Sequence, residues 1–211
     1  MLNFNASLIR AVNNFISTEE TRYYLRGVHF TRADEGAIAV ATDGHTLCAA
    51  HDPAAYCERD MILQFDKPAL SLMKSARGDF DGNRRAFISN DRTMDIVPDG
   101  EGSGGMKYGI AQIQEIDGTF PDWRRVLPVK SSNDDENEKQ APAAFDASYL
   151  AKFSKMIAEL DRKGAALTLH QFDRNAPALV KFDRADIFGV IMPRREDIDG
   201  ATLPAWSKGA E

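Results

Sequence analysis

One succession of apolar and polar positions occurs three times along the chain, as LNFNASLIRAV, LQFDKPALSLM and AAFDASYLAKF. In each copy an extended apolar segment ends at a phenylalanine, Phe4, Phe65 or Phe145, and an Asn or Asp follows. These short polar side chains cap helix N-termini. Apolar residues then recur five and eight positions after the phenylalanine, which is the spacing of a buried helix face. The pattern predicts three strands, each leading directly into an amphipathic helix.

Strand-like runs separated by turn residues follow each predicted helix. The first unit contains YYLRGVHF, AIAVATD and TLCAAH, the second RAFISN, TMDIV and MKYGIAQI, and the third AALTLHQ, ALVKFD and IFGVIM. We call these segments unit one, unit two and unit three. The order predicts an α+β fold of three strand–helix–three-strand units with the helices on one side of the sheets. No unit covers both faces of its own sheet, so the units should pack together.

Two segments lack this pattern. Residues 130–140, KSSNDDENEKQ, contain no apolar side chain and cannot bury enough surface to offset the entropy lost on ordering. The end of the chain is also polar, apart from Leu203, Pro204 and Trp206. The predicted organisation is a first domain at 1–128, a flexible acidic linker at 129–141, a half-domain at 142–195 and a tail at 196–211.

Composition narrows the possible functions. The 211 residues include 43% apolar side chains, enough for one or two packed domains. No apolar run approaches the roughly 20 residues of a membrane span, and the chain starts without signal-peptide features, so we expect a cytoplasmic protein with no membrane partner. Cys48 and Cys57 lack the spacing of a zinc site, and no metal or cofactor is predicted. A formal net charge of -6 repels nucleic acid on average, so DNA binding would require basic residues gathered on one surface.

The polar faces of the second and third predicted helices are more basic than the chain as a whole. Their polar positions recur every three or four residues, as Lys67, Ser71, Lys74 and Arg77 on the second helix and Ser148, Lys152, Lys155, Glu159 and Arg162 on the third. The first helix contributes only one charge, Arg10. Such faces are either simply solvated or form a shared surface for a polyanion, and the charge pattern leaves both open. The DNA-facing surface would comprise Arg10, Lys67, Lys74, Lys152 and Lys155.

The motif TDGH (42–45), with His51 nearby, is the clearest candidate for chemistry. Asp and His could act as a base and its orienting partner, or as metal ligands. However, Asp-Gly between apolar runs is a common hairpin signal, and no P-loop, serine elbow or HExxH motif accompanies it. A hairpin turn is therefore the preferred interpretation, and we expect no enzymatic activity. The cluster FPDWRRVLP (120–128) indicates either a recognition surface or a domain-closing strand.

Four blocks of the chain, RYYLRGVHF, VATDGHTL, GTFPDWRRVLP and VIMPRR, occur in the order in which a known family has them. Together they resemble the bacterial beta sliding clamp, the processivity subunit of the replicative DNA polymerase. The resemblance runs from about Leu2 to Arg195. Units one and two resemble the whole middle domain of the clamp, and unit three resembles the second half of its last domain.

The resemblance implies a clamp fold, in which each domain consists of two such units. In the family the helices line the hole of a six-domain ring that encloses duplex DNA, and the clamp has no enzymatic activity. The three repeated openings would then be ring-lining helices that contact DNA without reading its sequence. Residues matching Arg22, Tyr23 and Tyr24 approach DNA in the family; the alternative for the two tyrosines is that they begin a strand.

The family also has a pocket for clamp-binding peptides of the DNA polymerase, the clamp loader and repair proteins. The resemblance places around it Leu25, Thr42, Gly44, His45, Thr46, Leu47, Pro121, Arg125, Val126, Val190, Ile191, Met192, Pro193 and Arg194. Thr46 stands where the family often has arginine, and the chain continues beyond Arg195, where the family typically ends. These departures could change the peptide preference or obstruct the pocket.

Three functions remain open. The preferred one is a sliding-clamp-like processivity factor that binds duplex DNA non-specifically and captures clamp-binding peptides. The alternative is a clamp-derived peptide-binding module or regulator that does not encircle DNA. An enzyme acting through Asp43 and His45 is the least supported. The regions that join two clamp chains in the family have no counterpart here, so we expect a monomer or a small open oligomer.

Overall fold

The polypeptide is described by a computed structural model at residues 1–74, 84–99, 106–128, 143–160, 166–173 and 175–195. Two short 3₁₀ segments, Glu20–Leu25 and Trp123–Val126, lie within these ranges, together with the following helices and strands. In chain order these are β1 (Leu2–Asn5), α1 (Ala6–Asn13), β2 (Val28–Arg32), β3 (Ala37–Thr42), β4 (Thr46–Asp52), β5 (Tyr56–Cys57), β6 (Met61–Gln64), α2 (Lys67–Leu72), β7 (Arg84–Ile88), β8 (Thr93–Pro98), β9 (Gly109–Gln112), β10 (Gln114–Ile116), α3 (Ala147–Glu159), β11 (Leu167–His170), β12 (Ala178–Phe182) and β13 (Ile187–Ile191).

The three helices begin where the repeated pattern predicts. The Asn5 side chain accepts hydrogen bonds from the backbone N–H groups of Ser7 and Leu8, at 3.0 and 3.2 Å. Asp66 and Asp146 cap α2 and α3 in the same way, each accepting a backbone N–H at 2.8 Å. Each cap satisfies donors that have no partner inside the first turn. The predicted helix starts are therefore confirmed.

Units one and two exchange their first strands. All strand pairs are antiparallel, and the five-stranded sheet has the order β5-β1-β7-β8-β9 while the eight-stranded sheet has the order β10-β6-β2-β3-β4-β13-β12-β11. Thus β1 of unit one lies beside β7 of unit two, and β6 of unit two lies beside β2 of unit one. This exchange joins the two units through strand pairing in both sheets. The sequence pattern did not predict it.

Unit three joins unit one through the ladder between β13 and β4, in which Gly189 stands opposite Cys48. A Cβ atom on Gly189 would lie 2.2 Å from Cε1 of Phe153, so a glycine is needed for α3 to pack on this strand. The Phe153 ring also lies 4.9 Å from the ring of Phe15 after α1, measured between centroids. Strand pairing and helix packing together hold unit three on unit one.

The two faces of the eight-stranded sheet have separate apolar clusters. The larger lies under the helices and includes the fully buried rings of Phe4, Phe30 and Phe153. The smaller lies on the opposite face, where Trp123 packs with Leu47, Val190 and their neighbours. Because alternate residues of a strand face opposite sides, the same strands β4 and β13 contribute to both clusters.

Three strand predictions need correction. Tyr23 and Tyr24 lie in the 3₁₀ segment Glu20–Leu25, and the strand predicted over YYLRGVHF begins only at Val28. The strand predicted over MKYGIAQI is limited to Gly109–Gln112, and the strand that follows it, β10, belongs to the other sheet and was not predicted. The strand predicted before α3 is reduced to a single bridge between Ala144 and Arg194. Arg77, Arg162, the linker and the tail lie outside the described residues.

Among the described residues, none of the helices has the length and apolar character that crossing a membrane requires.

A buried ion-pair network ties β7 to the end of β4. The Arg85 guanidinium donates to Asp52 Oδ2 at 3.0 Å and to Asp99 Oδ1 at 2.9 Å, and Asp52 also accepts the backbone N–H of Asn5. The side chains of Arg85 and Asp52 are only 12% and 6% exposed. Burial alone would lower the pKa of Arg85, but the two carboxylates outweigh it and raise the pKa.

Replacing Arg85 with Met should destabilise the protein by about 3 kcal/mol, because Asp52 is left as a buried charge without its partner. Lys107→Met is the matched control: it removes a more exposed pair with Asp95 and should cost less than about 1 kcal/mol. Urea unfolding followed by circular dichroism measures both. Equal losses in the free energy of unfolding would show that the Arg85 network stabilises the fold no more than an exposed ion pair does.

Candidate functional site

A small apolar cleft lies on the sheet face opposite the helices, where units one and three meet. Its volume is about 140 Å³, and it is formed by residues of β4, β13, the turn before β4 and the segment around Trp123. The lining residues are Leu25, Thr42, Gly44, His45, Thr46, Leu47, Pro121, Asp122, Trp123, Val126, Val190 and Met192. All the residues predicted for the peptide pocket line it except Arg125, Ile191, Pro193 and Arg194. We call this cleft the groove.

The floor of the groove is built by strand pairing. Leu47 of β4 stands opposite Val190 of β13, and both side chains are buried on the groove face. Ile191 follows Val190 and therefore faces the helices, where it is fully buried. Its side chain therefore does not line the groove. The alternation of the strand already contained this information.

One edge of the groove is the tight turn formed by the TDGH motif. The Asp43 Oδ1 atom accepts the backbone N–H groups of His45 and Thr46, at 2.9 and 2.6 Å, and the Thr46 hydroxyl at 2.9 Å. Gly44 has φ +91°, a conformation that other residues rarely adopt. Asp43 thus holds the turn that presents His45 and Thr46 to the groove.

Asp43 also links this turn to unit three. Its Oδ2 atom accepts an ion-paired hydrogen bond from Lys152 of α3. Burial alone would raise the pKa of Asp43, but the hydrogen bond from Lys152 and those from the backbone of Thr46 and His45 hold the pKa below its usual value. The carboxylate is therefore ionised and fully used as an acceptor. This arrangement favours the hairpin interpretation over a catalytic base.

Unit three closes the groove from the other side of the turn. The backbone N–H of Met192 donates to the His45 carbonyl at 2.8 Å, and the ring of Tyr149 on α3 stacks on the His45 ring at 5.2 Å between centroids. His45 itself is exposed. The contact of Tyr149 with His45 could not be predicted from the sequence. The position of Tyr149, four residues after Phe145, indicates only that it lies in the first turn of a helix. In the described part of the chain, no group of three His, Cys, Asp or Glu side chains could hold a metal ion.

The segment around Trp123 forms the remaining wall. Trp123 is 7% exposed and packs against Phe188, with the Arg124 guanidinium 4.4 Å from its ring centroid. Asp122 and Trp123 also line the groove, although neither was predicted as a pocket residue. Arg125 does not line the groove, and its 84% exposed side chain pairs at 3.3 Å with Asp122, which does. A role for Arg125 in peptide binding stays a prediction.

The last two residues predicted for the pocket hold the start of α3 instead. The backbone N–H of Arg194 donates to the Ala144 carbonyl at 2.7 Å, and its guanidinium donates to Asp146 at 3.0 Å. Pro193 precedes this contact and does not line the groove. Asp146 is the capping residue of α3, so Arg194 connects the end of β13 to the helix that carries Lys152 and Tyr149.

The residues predicted to contact DNA have different environments. Lys67, Lys74 and Lys155 are exposed, as expected. Arg10 and Lys152 are not free on an open face: Arg10 pairs with Glu159 of α3 and donates to the Leu70 carbonyl, and Lys152 pairs with Asp43. The expectation that these two charges face outward is corrected because both lie at contacts between units.

Arg22 lies beside the TDGH turn, whereas Tyr23 and Tyr24 lie near Gly118. Arg22 pairs with Glu19 at 3.3 Å, and its guanidinium lies close above Gly44. Tyr23 is 52% exposed, and its ring meets that of Tyr24 edge to face.

No protein-family model matches the sequence. The beta sliding clamp of Caulobacter vibrioides strain NA1000 is 35% identical over 119 residues, which cover 54% of this chain and 29% of that protein. The beta sliding clamp of Escherichia coli K12 is 31% identical over 122 residues, covering 57% of this chain and 31% of that protein. The matched part thus spans about a third or less of these curated relatives.

Solved structures extend the similarity to most of the chain. The DNA polymerase III subunit beta of Pseudomonas aeruginosa has a TM-score of 0.63 and 20% identity, covering 92% of this chain and 67% of that chain. This chain has the sliding-clamp fold. A sliding clamp from Bartonella birtlesii, with a TM-score of 0.58 and 20% identity over 92% of this chain and 66% of that chain, is bound to griselimycin. The resemblance to beta sliding clamps and the predicted α+β clamp fold are confirmed.

The ion pair between Lys152 and Asp43 makes the acid stability of this clamp fold testable. The folded-state pKa of Asp43 is lowered, so its contribution to stability is full above the ordinary value near 3.8 and is lost as the pH falls through the lower folded-state pKa. Lys152→Met removes the strongest of the interactions that lower this pKa. Acid unfolding of the variant, followed by circular dichroism, should therefore begin at a higher pH than in the unchanged protein.

Lys155→Met is the control for this experiment, because Lys155 is exposed on the same helix. Acid unfolding of this variant should begin at the same pH as in the unchanged protein. The same displacement in both variants would mean that helix charge in general, and not the pair with Asp43, determines acid stability.

Proposed function

We propose that this protein is a sliding-clamp-like processivity factor that captures short clamp-binding peptides in the groove and contacts duplex DNA through its helix side. The observation that carries the proposal is the groove itself. Hairpin residues of unit one and strand residues of unit three, distant in sequence, line one apolar cleft. They are residues that the resemblance to beta sliding clamps associates with a peptide pocket.

The chemistry of the groove suits a peptide with few apolar anchors. Leu47, Val190 and Leu25 form a buried apolar floor and wall. Apolar side chains entering such a preformed cavity gain about 1.5–3 kcal/mol each. The His45 ring at the edge, held by its stacking on Tyr149, can contact a polar residue of the peptide. A glutamine followed by leucine and a terminal Leu-Phe pair has this arrangement of one polar and several apolar groups.

Such a peptide should bind with micromolar or weaker affinity, at most about -8 kcal/mol. Met192→Lys should abolish binding, because its ammonium group would lie unpaired against apolar ligand groups. Met106→Lys, at an exposed methionine outside the groove, should leave the affinity unchanged. Isothermal titration calorimetry with the full chain measures all three. Absence of heat with the unchanged protein, or equal binding by the Met192 variant, would contradict a peptide-binding groove.

DNA contact would use the exposed lysines Lys67, Lys74 and Lys155 on the helix side. Lysines that neutralise phosphates release counterions, which gives binding without sequence preference and with strong salt dependence. The pairing of Arg10 and Lys152 inside the chain leaves fewer free charges than the sequence suggested. We therefore expect weak binding in the acidic chain, at low salt only.

Changing Lys74 and Lys155 to Glu should weaken duplex binding and make the salt dependence shallower, by about 0.9 in log–log slope for each phosphate that is no longer neutralised. Lys181→Glu is the control. Val180 on β12 is buried and faces the helices, so its exposed neighbour Lys181 lies on the opposite face of the sheet. Fluorescence anisotropy with a labelled duplex follows both variants. An equal effect of both would mean that only net charge matters, and no helix-side DNA surface exists.

The same pairing of Arg10 and Lys152 favours one alternative, a clamp-derived peptide-binding module that does not encircle DNA. Peptide binding together with no DNA binding at low salt would select it. An enzyme based on Asp43 is disfavoured, because the Asp43 carboxylate already accepts hydrogen bonds from the turn and from Lys152.

A further inference from the structure

The exchange of first strands between units one and two gives each unit a covered sheet edge. Leu2 of β1 stands opposite Ile88 of β7, and Leu63 of β6 stands opposite Val28 of β2. Each first strand thus lies along the outer edge of the other unit's three-stranded sheet. As a result Val28 and Ile88, which face the helices, are 0% and 4% exposed.

Unit three has the same parts, but no residue that the structure describes covers the outer edge of its sheet. Counting outward from the central Cys48–Gly189 pair, Leu169 of β11 occupies the position that Val28 occupies in β2. Leu169 is 38% exposed. Strand β11 is the last strand of its sheet, and no described residue pairs with its outer edge.

Among the described residues, the first segment of unit three is joined to a strand on one side only. Its one bridge joins Ala144 to Arg194 of the same unit, as β1 is joined on one side to β5. On the other side β1 pairs with β7, whereas residues 143–146 have no second partner strand within the described chain. Phe145 remains partly exposed, while its equivalents Phe4 and Phe65 are 0% and 5% exposed.

We propose that two copies of the chain associate through unit three, each laying residues 143–146 along the outer edge of the other copy's β11. The two contacts are related by a twofold axis, so the interface is isologous. It would repeat between chains the exchange that already joins units one and two inside the chain. Leu169 and Phe145 of both copies would then be covered, and the open backbone groups of both β11 strands would be paired.

A second copy fits better than an unrelated peptide because two parts of unit three lack a partner among the described residues. One is the outer edge of β11, and the other is the segment 143–146. An added peptide strand could cover β11, but it would leave residues 143–146 without a sheet edge to join. A second unit three provides both the missing strand and the missing edge. The eight-stranded sheet would continue in each copy beyond β11, in the same direction in which unit three extends it from β4.

The molar mass of the full chain in solution tests the proposal. Light scattering should give twice the 23.4 kDa of one chain, with dissociation on dilution between about 100 and 1 µM if the Kd lies in that range. Leu169→Lys should give a monomer with an unchanged circular dichroism spectrum, because the charge would be buried only in the dimer. Ile110→Lys, at a 62% exposed position on edge strand β9, is the matched control and should remain dimeric.

A cysteine pair tests the register. By analogy with Leu2 opposite Ile88, Ala143 of one copy should face Leu169 of the other, at a separation that suits a disulfide. The double variant Ala143→Cys with Leu169→Cys should form a covalent dimer under mild oxidation, while each single variant should not. The native cysteines Cys48 and Cys57 are buried and should not interfere.

A monomer at every concentration, or a dimer that Leu169→Lys does not dissociate, would overturn the proposal. So would a dimer without the Ala143–Leu169 cross-link. If a dimer forms only after residues 196–211 are deleted, the chain's own end covers β11 and a second copy does not.

Discussion

The antiparallel ladder between β4 and β13 is the contact on which the rest of the molecule depends. It places Leu47 opposite Val190 on one face and Cys48 opposite Gly189, beneath Phe153, on the other. The same ladder therefore builds the floor of the groove and seats α3 on the core. Without this ladder, no strand pairing would bring the end of β13 to the hairpin of unit one. Any ligand bound in the groove would in turn stabilise the docking of unit three.

Two ion pairs add to the contact that the ladder makes between units one and three. Lys152 of α3 pairs with Asp43, which holds the TDGH turn, and Arg10 of α1 pairs with Glu159 at the other end of α3. Both cations were expected to face DNA, and both instead connect units one and three. The structure thus uses part of its basic helix surface to hold the groove together, which limits what remains for polyanions.

Local features of the fold could be predicted from the sequence, because caps and periodicity act within a few residues. The helix starts at Asn5, Asp66 and Asp146 followed from such signals. The strand exchange could not, since it depends on which of several similar edges pair. The site shows the same division: strand alternation could have excluded Ile191, but the solvent-facing position of Arg125 depends on tertiary packing. The remaining pocket residues were identified by resemblance to a family and not by local physics.

If β4 and β13 form a stable common floor for a bound peptide, amide hydrogen exchange of the full chain, without and with a clamp-binding peptide, should show it. We expect slow exchange for the β4–β13 amides in the free protein, and additional slowing at Leu47 and Val190 when peptide is present. Rapid exchange along β13 in the free protein, or protection by peptide confined to other parts of the chain, would show that these strands do not form such a floor.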